Sequence, residues 1–250
     1  MNYGENDHDV DFDDGVEPTR ALVPLGPSPG HALVKTPPRD VVRQSKTIAG
    51  QSQPLSKQSD AFWRIRNEIS ARHIEMGVQS FAILSAERDE GRSYVAANLA
   101  YAISQQNQKV LLIDADLRNP CQHEIFDVPN EHGLSLLLTS RRGLNLMRDL
   151  RNAEPLSVLS AGSPEFNPAA MLGSSRFRRL LDRAEEIFDI VLIDTPPAEA
   201  FADAEAVARY ADAAIFVMRK GHSTIAGASA LIRRIRDQGT EIAGAILNTH

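Results

Sequence analysis

The sequence alternates short apolar runs with segments of helical periodicity, and this alternation limits the possible folds more than any other feature of the chain. Such alternation is typical of a mostly parallel sheet that helices cover on both faces. We therefore predict an α/β fold with a mostly parallel, doubly wound sheet. The predicted strands are residues 81–85, 110–113, 156–160, 190–193, 214–218 and 242–247.

Helical patterns separate most of the predicted strands, at residues 93–106, 174–187, 201–210 and 224–238. In the second of these, Ser174 is suited to be the N-cap and one apolar stripe runs along the helix. The same segment carries Arg176, Arg178, Arg179 and Arg183. Because these arginines follow a helical pattern, we interpret them as a solvated helix face.

Residues 1–56 differ in composition from the rest of the chain. They hold seven prolines, scattered Gly, Ser and Gln, and little periodic hydrophobicity, which indicates a disordered tail. We expect one ordered domain over residues 57–250. It should open with an amphipathic helix from about Asp60 to about His73, in which Phe62, Ile65 and Ile69 share a face.

The formal net charge of -6 arises largely from seven carboxylates within the first seventeen residues, and the remaining sequence is close to neutral. This balance argues against nonspecific nucleic-acid binding, which requires concentrated Lys and Arg. Cys121 is the only cysteine, so we expect a reducing compartment and a cytoplasmic location. No apolar stretch approaches the roughly 20 residues that span a bilayer, and the start is too acidic for a signal peptide. Any membrane role would therefore depend on a partner.

The loop after the first predicted strand resembles a phosphate-binding loop. It reads Ala86-Glu-Arg-Asp-Glu-Gly91-Arg92-Ser93 and leads directly into a helix. In the pattern G-x-x-x-x-G-K-[ST], backbone N–H groups hold phosphate, Lys neutralises it and the hydroxyl binds Mg²⁺. Here Ala86 replaces the first Gly and Arg92 replaces Lys. On this loop alone, an ordinary charged surface turn is an equally good interpretation.

Two further loops carry carboxylates directly after apolar strands. Asp114 and Asp116 follow the second strand, and Asp194 precedes Pro196 and Pro197 after the fourth. Charges at such positions cost free energy unless they are compensated, and a metal ion that bridges phosphates would compensate them. The alternative, a surface ion pair between Asp116 and Arg118, contributes only about 0–1 kcal/mol. The three loops together predict a site for a nucleotide and Mg²⁺.

On these three loops the chain resembles the bacterial protein-tyrosine kinases of capsule and exopolysaccharide gene clusters, a branch of the P-loop ATPases related to MinD and ParA. The family's Walker A, Walker A′ and Walker B motifs resemble residues 86–93, 111–118 and 191–197. The resemblance covers residues 60–248, and residues 90–94 are similar to the subgroup associated with exopolysaccharide chain-length determinants. Further matching segments are residues 95–100, 133–135, 159–162, 167–172, 217–219 and 244–248.

The resemblance also implies roles for individual residues toward ATP and Mg²⁺. Catalysis would involve Arg92, Asp114 and Asp116, with Asp116 as metal ligand or as the base that accepts the tyrosine proton. The metal would be held by Ser93, Asp116 and Asp194. The nucleotide would be bound by Ala86, Glu87, Arg88, Asp89, Glu90, Gly91, Arg92, Ser93, Tyr94 and, near the adenine, Asn248.

The function that the resemblance implies is an ATP-dependent protein-tyrosine autokinase that regulates exopolysaccharide synthesis and chain length. Its partner would be the cytoplasmic segment of a membrane chain-length-determinant protein, a polysaccharide co-polymerase, so the kinase would be peripheral to the inner membrane. A family segment of the form E-x-x-R-x-x-R matches Asp60 and Arg66 and implies a homo-oligomer. Trp63 replaces its first Arg, either as an interface anchor or as a core residue that covers the sheet edge.

A nucleotide-dependent regulatory ATPase without physiological tyrosine phosphorylation is the alternative. Arg92 in place of Lys favours it, and so does the end of the chain at His250 without the family's usual tyrosine cluster. Tyr94 and Tyr101 are expected to be packed, which leaves Tyr3 as the most accessible acceptor. A positioning ATPase like MinD or ParA is disfavoured, because Glu87 stands at the position of their signature Lys and the carboxyl end lacks an amphipathic membrane helix.

Overall fold

The computed structural model of the chain describes residues 57–131, 133–140, 155–163 and 167–249, with the side chains of Lys57 and Gln58 left out. The proposed disordered tail, residues 1–56, lies outside the described residues. In the described part, no helix is long and apolar enough to cross a membrane.

The described residues form a six-stranded sheet in the order β3-β2-β4-β1-β5-β6, and every recorded pairing is parallel. Each predicted strand is confirmed to within one residue at either end. The strands are β1 Ser80–Leu84, β2 Val110–Asp114, β3 Leu156–Leu159, β4 Ile190–Asp194, β5 Ala213–Arg219 and β6 Glu241–Asn248.

Helices connect the strands, and the long helices coincide with the predicted ones. Ser174 is confirmed as an N-cap, because its hydroxyl accepts a hydrogen bond from the Phe177 N–H. Three helices of five or six residues were not predicted, since they are too short to show a periodic pattern. The helices are α1 Lys57–Arg72, α2 Arg92–Ser104, α3 Gln122–Phe126, α4 Leu134–Thr139, α5 Pro168–Leu172, α6 Ser175–Glu185, α7 Asp203–Ala208 and α8 Ile225–Asp237, with a 3-10 turn at Ile74–Met76.

The sheet has a hydrophobic core on each face, because successive side chains of a strand point to opposite faces. In β1, Ala82 and Leu84 pack on one face with α6, α7 and α8. Phe81 and Ile83 pack on the other face with α1 and α2. The predicted arrangement of helices on both faces of a parallel sheet is therefore confirmed.

The parallel register brings the three predicted loops together. Asp194, the last residue of β4, is paired with Ile83 of β1 on one side and with Asp114 of β2 on the other. The loops after β1, β2 and β4 therefore leave the sheet at one edge, where open α/β sheets bind their ligands.

Candidate functional site

The loop between β1 and α2 has a backbone suited to phosphate binding. Gly91 precedes α2 with φ = +87°, and Asp89 is also left-handed, with φ = +56°. A Cβ atom on Gly91 would run into the side-chain amide of Asn248. Glycine is therefore required at this position both by its φ and by the close neighbour, and the loop leads the chain into the N-terminus of a 13-residue helix,.

Arg92 links the first and third loops. Arg92 is 8% exposed, and its Nε donates a 2.7 Å hydrogen bond to the carbonyl oxygen of Thr195. A terminal nitrogen donates to the carbonyl oxygen of Glu87 at 3.1 Å and to the hydroxyl of Ser85. This double connection uses the planar fork of Arg, which a lysine ammonium cannot reproduce.

Asp114 is buried and shapes the second loop. Its carboxylate accepts hydrogen bonds from the N–H groups of Asp116 at 3.2 Å, Cys121 at 3.1 Å and Gln122 at 2.9 Å. Burial and the nearby Asp194 raise the pKa of Asp114 well above its usual value. The structure therefore places Asp114 where it orients the loop that carries Asp116.

Asp116 lies in this loop with 5% of its surface exposed. Its Oδ1 accepts hydrogen bonds from the N–H groups of Asn119 at 2.9 Å and Arg118 at 3.2 Å. The guanidinium of Arg118 pairs with Asp203, at 2.6 Å from Nε and 3.2 Å from Nη2, and lies 3.9 Å from the Phe201 ring centre. The ion-pair interpretation of Asp116 and Arg118 is therefore not the arrangement found.

Asp194 is buried at the end of β4, and one of its oxygens lacks a donor. Oδ2 accepts a 2.7 Å hydrogen bond from Nε2 of Gln122, whereas Oδ1 has no partner within hydrogen-bond distance in the described part of the chain. The Ser93 hydroxyl is still close enough to this carboxyl to lower its pKa. Burial raises the pKa of Asp194 to about 6, although the charge of Arg92 acts in the opposite direction. A buried carboxylate oxygen without a donor can accept a cation as its missing partner.

The carboxylates of Asp116 and Asp194 are oxygen ligands of the kind that Mg²⁺ binds. The described residues contain no preformed cluster of three or more His, Cys, Asp or Glu side chains that could hold a metal ion. Mg²⁺ usually binds one or two carboxylates and completes its shell with water and substrate phosphates. Gln122 also donates to the carbonyl oxygen of Ser93 at 3.0 Å, so this amide connects the strand that carries Asp194 to the start of α2.

The other residues predicted to bind nucleotide differ in their placement. Arg88 and Asp89 are exposed, whereas Ala86 is buried. The side chains of Glu87 and Glu90 bind Thr224 and Ser223, after β5. Tyr94 packs edge-on against the Phe62 ring. Asn248 donates to the carbonyl oxygen of Glu90 at 3.2 Å, so its amide contacts the phosphate loop itself.

Sequence reasoning missed Gln122, Thr195 and Asp203. Gln122 begins a five-residue helix without a recognisable motif, and Asp203 meets Arg118 across 85 residues of sequence. Only Thr195 had a sequence signal, because it directly follows Asp194. Its hydroxyl donates to the carbonyl oxygen of Ile83 at 2.7 Å.

The exposure of the aromatic residues in α1 and α2 shows which of them are packed in the core. Trp63 is 39% exposed and lies 4.4 Å from the guanidinium carbon of Arg66, so the interpretation of Trp63 as a core residue is wrong. The interface interpretation stays a prediction. Tyr94 and Tyr101 are partly buried and pack against the core, as expected.

The chain is similar in sequence to several bacterial tyrosine-protein kinases. No protein-family model matches the chain. The tyrosine-protein kinase YwqD of Bacillus subtilis is 34% identical over 206 residues, which are 82% of this chain and 87% of YwqD. The tyrosine-protein kinase etk of Escherichia coli is 35% identical over 195 residues, which are 78% of this chain. The chain spans only 27% of the length of etk.

Solved structures agree in fold. The kinase domain of E. coli ETK superposes with a TM-score of 0.72 at 35% identity, covering 78% of this chain and 77% of that domain. The cell-division ATPase MinD of Pyrococcus furiosus superposes with a TM-score of 0.56 at 20% identity, covering 68% of this chain and 71% of MinD, which is a likeness of fold alone. By its sequence relationship to YwqD and etk, the chain belongs to the family of bacterial tyrosine-protein kinases.

Proposed function

We propose that the chain is an ATP-dependent protein-tyrosine kinase that transfers the γ-phosphoryl group of Mg-ATP to a tyrosine hydroxyl. The observation that supports it most directly is the unpaired Oδ1 of buried Asp194, beside the N-terminus of α2 and the loop of Asp116. Most buried polar atoms in native proteins have a hydrogen-bond partner, and a bound cation would supply one for this oxygen. The family relationship makes tyrosine the expected acceptor.

In this proposal, the residues of the phosphate loop position ATP. The N–H groups at the start of α2 would bind the phosphate oxygens, and Arg92 would add positive charge. To reach the phosphates, the guanidinium would exchange its hydrogen bonds to Thr195 and Ser85 for bonds to phosphate. A bound Mg²⁺, held by Ser93, Asp116 and Asp194, would supply neutralisation of the phosphate charge.

Asp116 would act on the acceptor. The tyrosine oxygen forms a bond to the γ-phosphorus, the bond from that phosphorus to the β,γ-bridging oxygen breaks, and ADP leaves. The phenolic proton passes to the carboxylate of Asp116. Catalysis is then mainly positioning and electrostatic stabilisation, as is general for phosphoryl transfer. Asp114 would contribute by holding the backbone of this loop.

The proposal extends to the cellular context. We propose that the kinase acts in the cytoplasm, peripheral to the inner membrane, and regulates exopolysaccharide synthesis and chain length. Its partner would be the cytoplasmic segment of a membrane chain-length-determinant protein. A relative in Klebsiella pneumoniae, named as a putative tyrosine-protein kinase in the cps region, is 31% identical over 91% of this chain and supports this context.

The test is incubation of the purified chain with γ-labelled ATP and Mg²⁺, followed by phosphotyrosine detection and mass-spectrometric mapping of the site. We expect phosphotyrosine in the wild type and at least about 100-fold less in Asp116→Asn, with or without the partner segment. ATP hydrolysis without phosphotyrosine under both conditions would contradict the kinase proposal. That result would support the alternative, a nucleotide-dependent regulatory ATPase.

A further inference from the structure

The phosphate loop is unexpectedly acidic for its proposed ligand. Glu87, Asp89 and Glu90 lie within four residues of one another in a loop that would hold the negative phosphates of ATP. Like charges at such distances repel one another, so these carboxylates would oppose binding if they faced the phosphates. The partners of the Glu87 and Glu90 carboxylates therefore decide whether these charges face the phosphates.

Glu90 has no exposed surface and its carboxylate is bound at both oxygens. Oε2 accepts a 2.7 Å hydrogen bond from the N–H of Glu87, within the loop. Oε1 accepts a hydrogen bond from the hydroxyl of Ser223, in the segment that connects β5 to α8. A buried carboxylate with one main-chain and one side-chain donor fixes the position of both donors.

Glu87 makes a second connection to the same segment. Its Oε1 accepts from the N–H of Thr224 at 3.2 Å and from the Thr224 hydroxyl at 3.0 Å. Thr224 is the N-cap of α8, whose first turn it closes through the N–H of Gly227 at 3.1 Å. The negative charge of Glu87 is therefore stabilised by the positive end of a 13-residue helix,.

The main chain of the loop is attached to the same segment. The Arg88 carbonyl oxygen lies 2.9 Å from Nε2 of His222, and the Asp89 carbonyl oxygen accepts from Arg219 at 3.1 Å. Ser223 itself is oriented by the N–H of Arg219, which donates to its hydroxyl at 2.6 Å. All four loop residues from 87 to 90 thus contact residues 219–224.

We propose that Glu90 and Ser223, together with Glu87 and Thr224, form a clamp that holds the phosphate loop in its nucleotide-binding conformation. These four residues are positioning residues, because they act through the loop backbone. Asp89 has an unfavourable left-handed backbone conformation, which would by itself destabilise the loop. The side-chain hydrogen bonds of the clamp stabilise the loop in this conformation. It also directs the carboxylates of Glu87 and Glu90 to donors in the β5–α8 connection. The inference rests on the proposed function, since the clamp matters only if the loop binds nucleotide.

The clamp is tested by titration calorimetry with Mg-ADP and by steady-state kinetics with ATP on full-length variants. Glu90→Ala removes both acceptor contacts, so we expect the Kd for Mg-ADP and the KM for ATP to rise about tenfold. The kcat should change less than about threefold, since Glu90 does not touch the reacting atoms. Glu90→Gln keeps an acceptor for the Glu87 N–H, so it should recover part of the affinity that Glu90→Ala loses. Glu75→Ala removes an exposed glutamate in the 3-10 turn that precedes β1. It is the matched control and should match the wild type.

A second variant covers the case in which Glu90→Ala does not fold, as judged by circular dichroism. Ser223→Ala leaves the buried carboxylate with one donor fewer, so it should raise the Kd about threefold to tenfold. It should also reduce hydrogen-exchange protection of the Glu87 amide. A folded Glu90→Ala with wild-type affinity would overturn the clamp, and so would a Ser223→Ala protein with unchanged affinity and protection.

The clamp and the proposed function fail in different ways. If the wild type binds neither Mg-ADP nor Mg-ATP, the proposed function fails. Hydrogen exchange at the Glu87 amide then still decides whether Glu90 and Ser223 hold the loop. If the wild type binds nucleotide and both alanine variants bind equally well, only the clamp is wrong.

Discussion

The guanidinium of Arg92 donates a 2.7 Å hydrogen bond to the main-chain carbonyl oxygen of Thr195. The first residue of α2 is thereby joined to the residue that follows β4, next to Asp194. The position at which the phosphate-loop pattern has Lys is occupied here by a side chain that also cross-links two of the three loops. Its charge and its shape should therefore have separable effects.

Arg92→Lys keeps the positive charge and loses the planar guanidinium with its several N–H donors. We expect its free energy of unfolding to fall by about 1–3 kcal/mol, because the Thr195 and Glu87 carbonyl oxygens lose their shared donor. Arg92→Ala should in addition lower kcat/KM by about 100-fold or more, since charge stabilisation in the site is lost. Urea denaturation and kinase kinetics measure the two effects. Equal loss of activity in both variants would show that the fork, not the charge, is what catalysis needs.

Asp116→Asn should separate chemistry from binding. Asparagine can still accept hydrogen bonds from the N–H groups of Arg118 and Asn119, so the loop should keep its shape. Without a base, phosphotyrosine formation should fall by about 10²–10⁴-fold. The Kd for Mg-ADP, measured by calorimetry, should rise less than about tenfold, because Ser93 and Asp194 remain as proposed metal ligands. Phosphorylation at the wild-type rate would exclude Asp116 as the base.

Asp194 should make the metal-free protein more stable as the pH falls from about 7 to about 4. Its folded pKa of about 6 lies above the usual value of 3.8, so the fold favours the protonated form. The destabilisation is fully present above pH 6, and it is relieved as the pH falls through 6 toward 3.8. Two pKa units correspond to at most about 3 kcal/mol.

Urea denaturation in EDTA at several pH values measures this effect. Asp194→Asn should be more stable than the wild type near pH 7 and should show a flatter pH profile. Added Mg-ADP should stabilise the wild type and much less the variant, because binding to the folded state raises stability. The role of Asp194 would be contradicted if the stability of the wild type fell between pH 7 and pH 5 as steeply as that of Asp194→Asn.

Gly91→Ala should damage the phosphate loop through two causes. A left-handed φ costs a residue with a Cβ about 1–2 kcal/mol, and the new methyl group would collide with the Asn248 amide. We expect a thermal shift to lower temperature and loss of Mg-ADP binding. In Gly91→Ala/Asn248→Ala the collision is relieved but the strained φ remains, so stability should recover only in part. Full recovery would show that the φ of Gly91 costs nothing.

The sequence by itself determined the sheet and the residues at its edge. Apolar runs bounded by turns specify strands, and parallel pairing places Asp114 and Asp194 at the same edge of the sheet. That β2 and β4 are adjacent, which makes the two residues neighbours, is a property of the strand order in the structure. The family resemblance of the three loops added the kinase assignment, which the relationship to YwqD and etk supports.

Only the tertiary structure decided where the polar side chains of these loops point. Gln122 reaches Asp194 across 72 residues, and Ser223 reaches Glu90 across 133. Such contacts depend on which elements the fold places side by side, and a local pattern does not contain that information. A buried carboxylate must find a donor wherever packing supplies one. Whether Glu90 faces a phosphate or a serine is therefore set by the β5–α8 connection and not by the loop sequence.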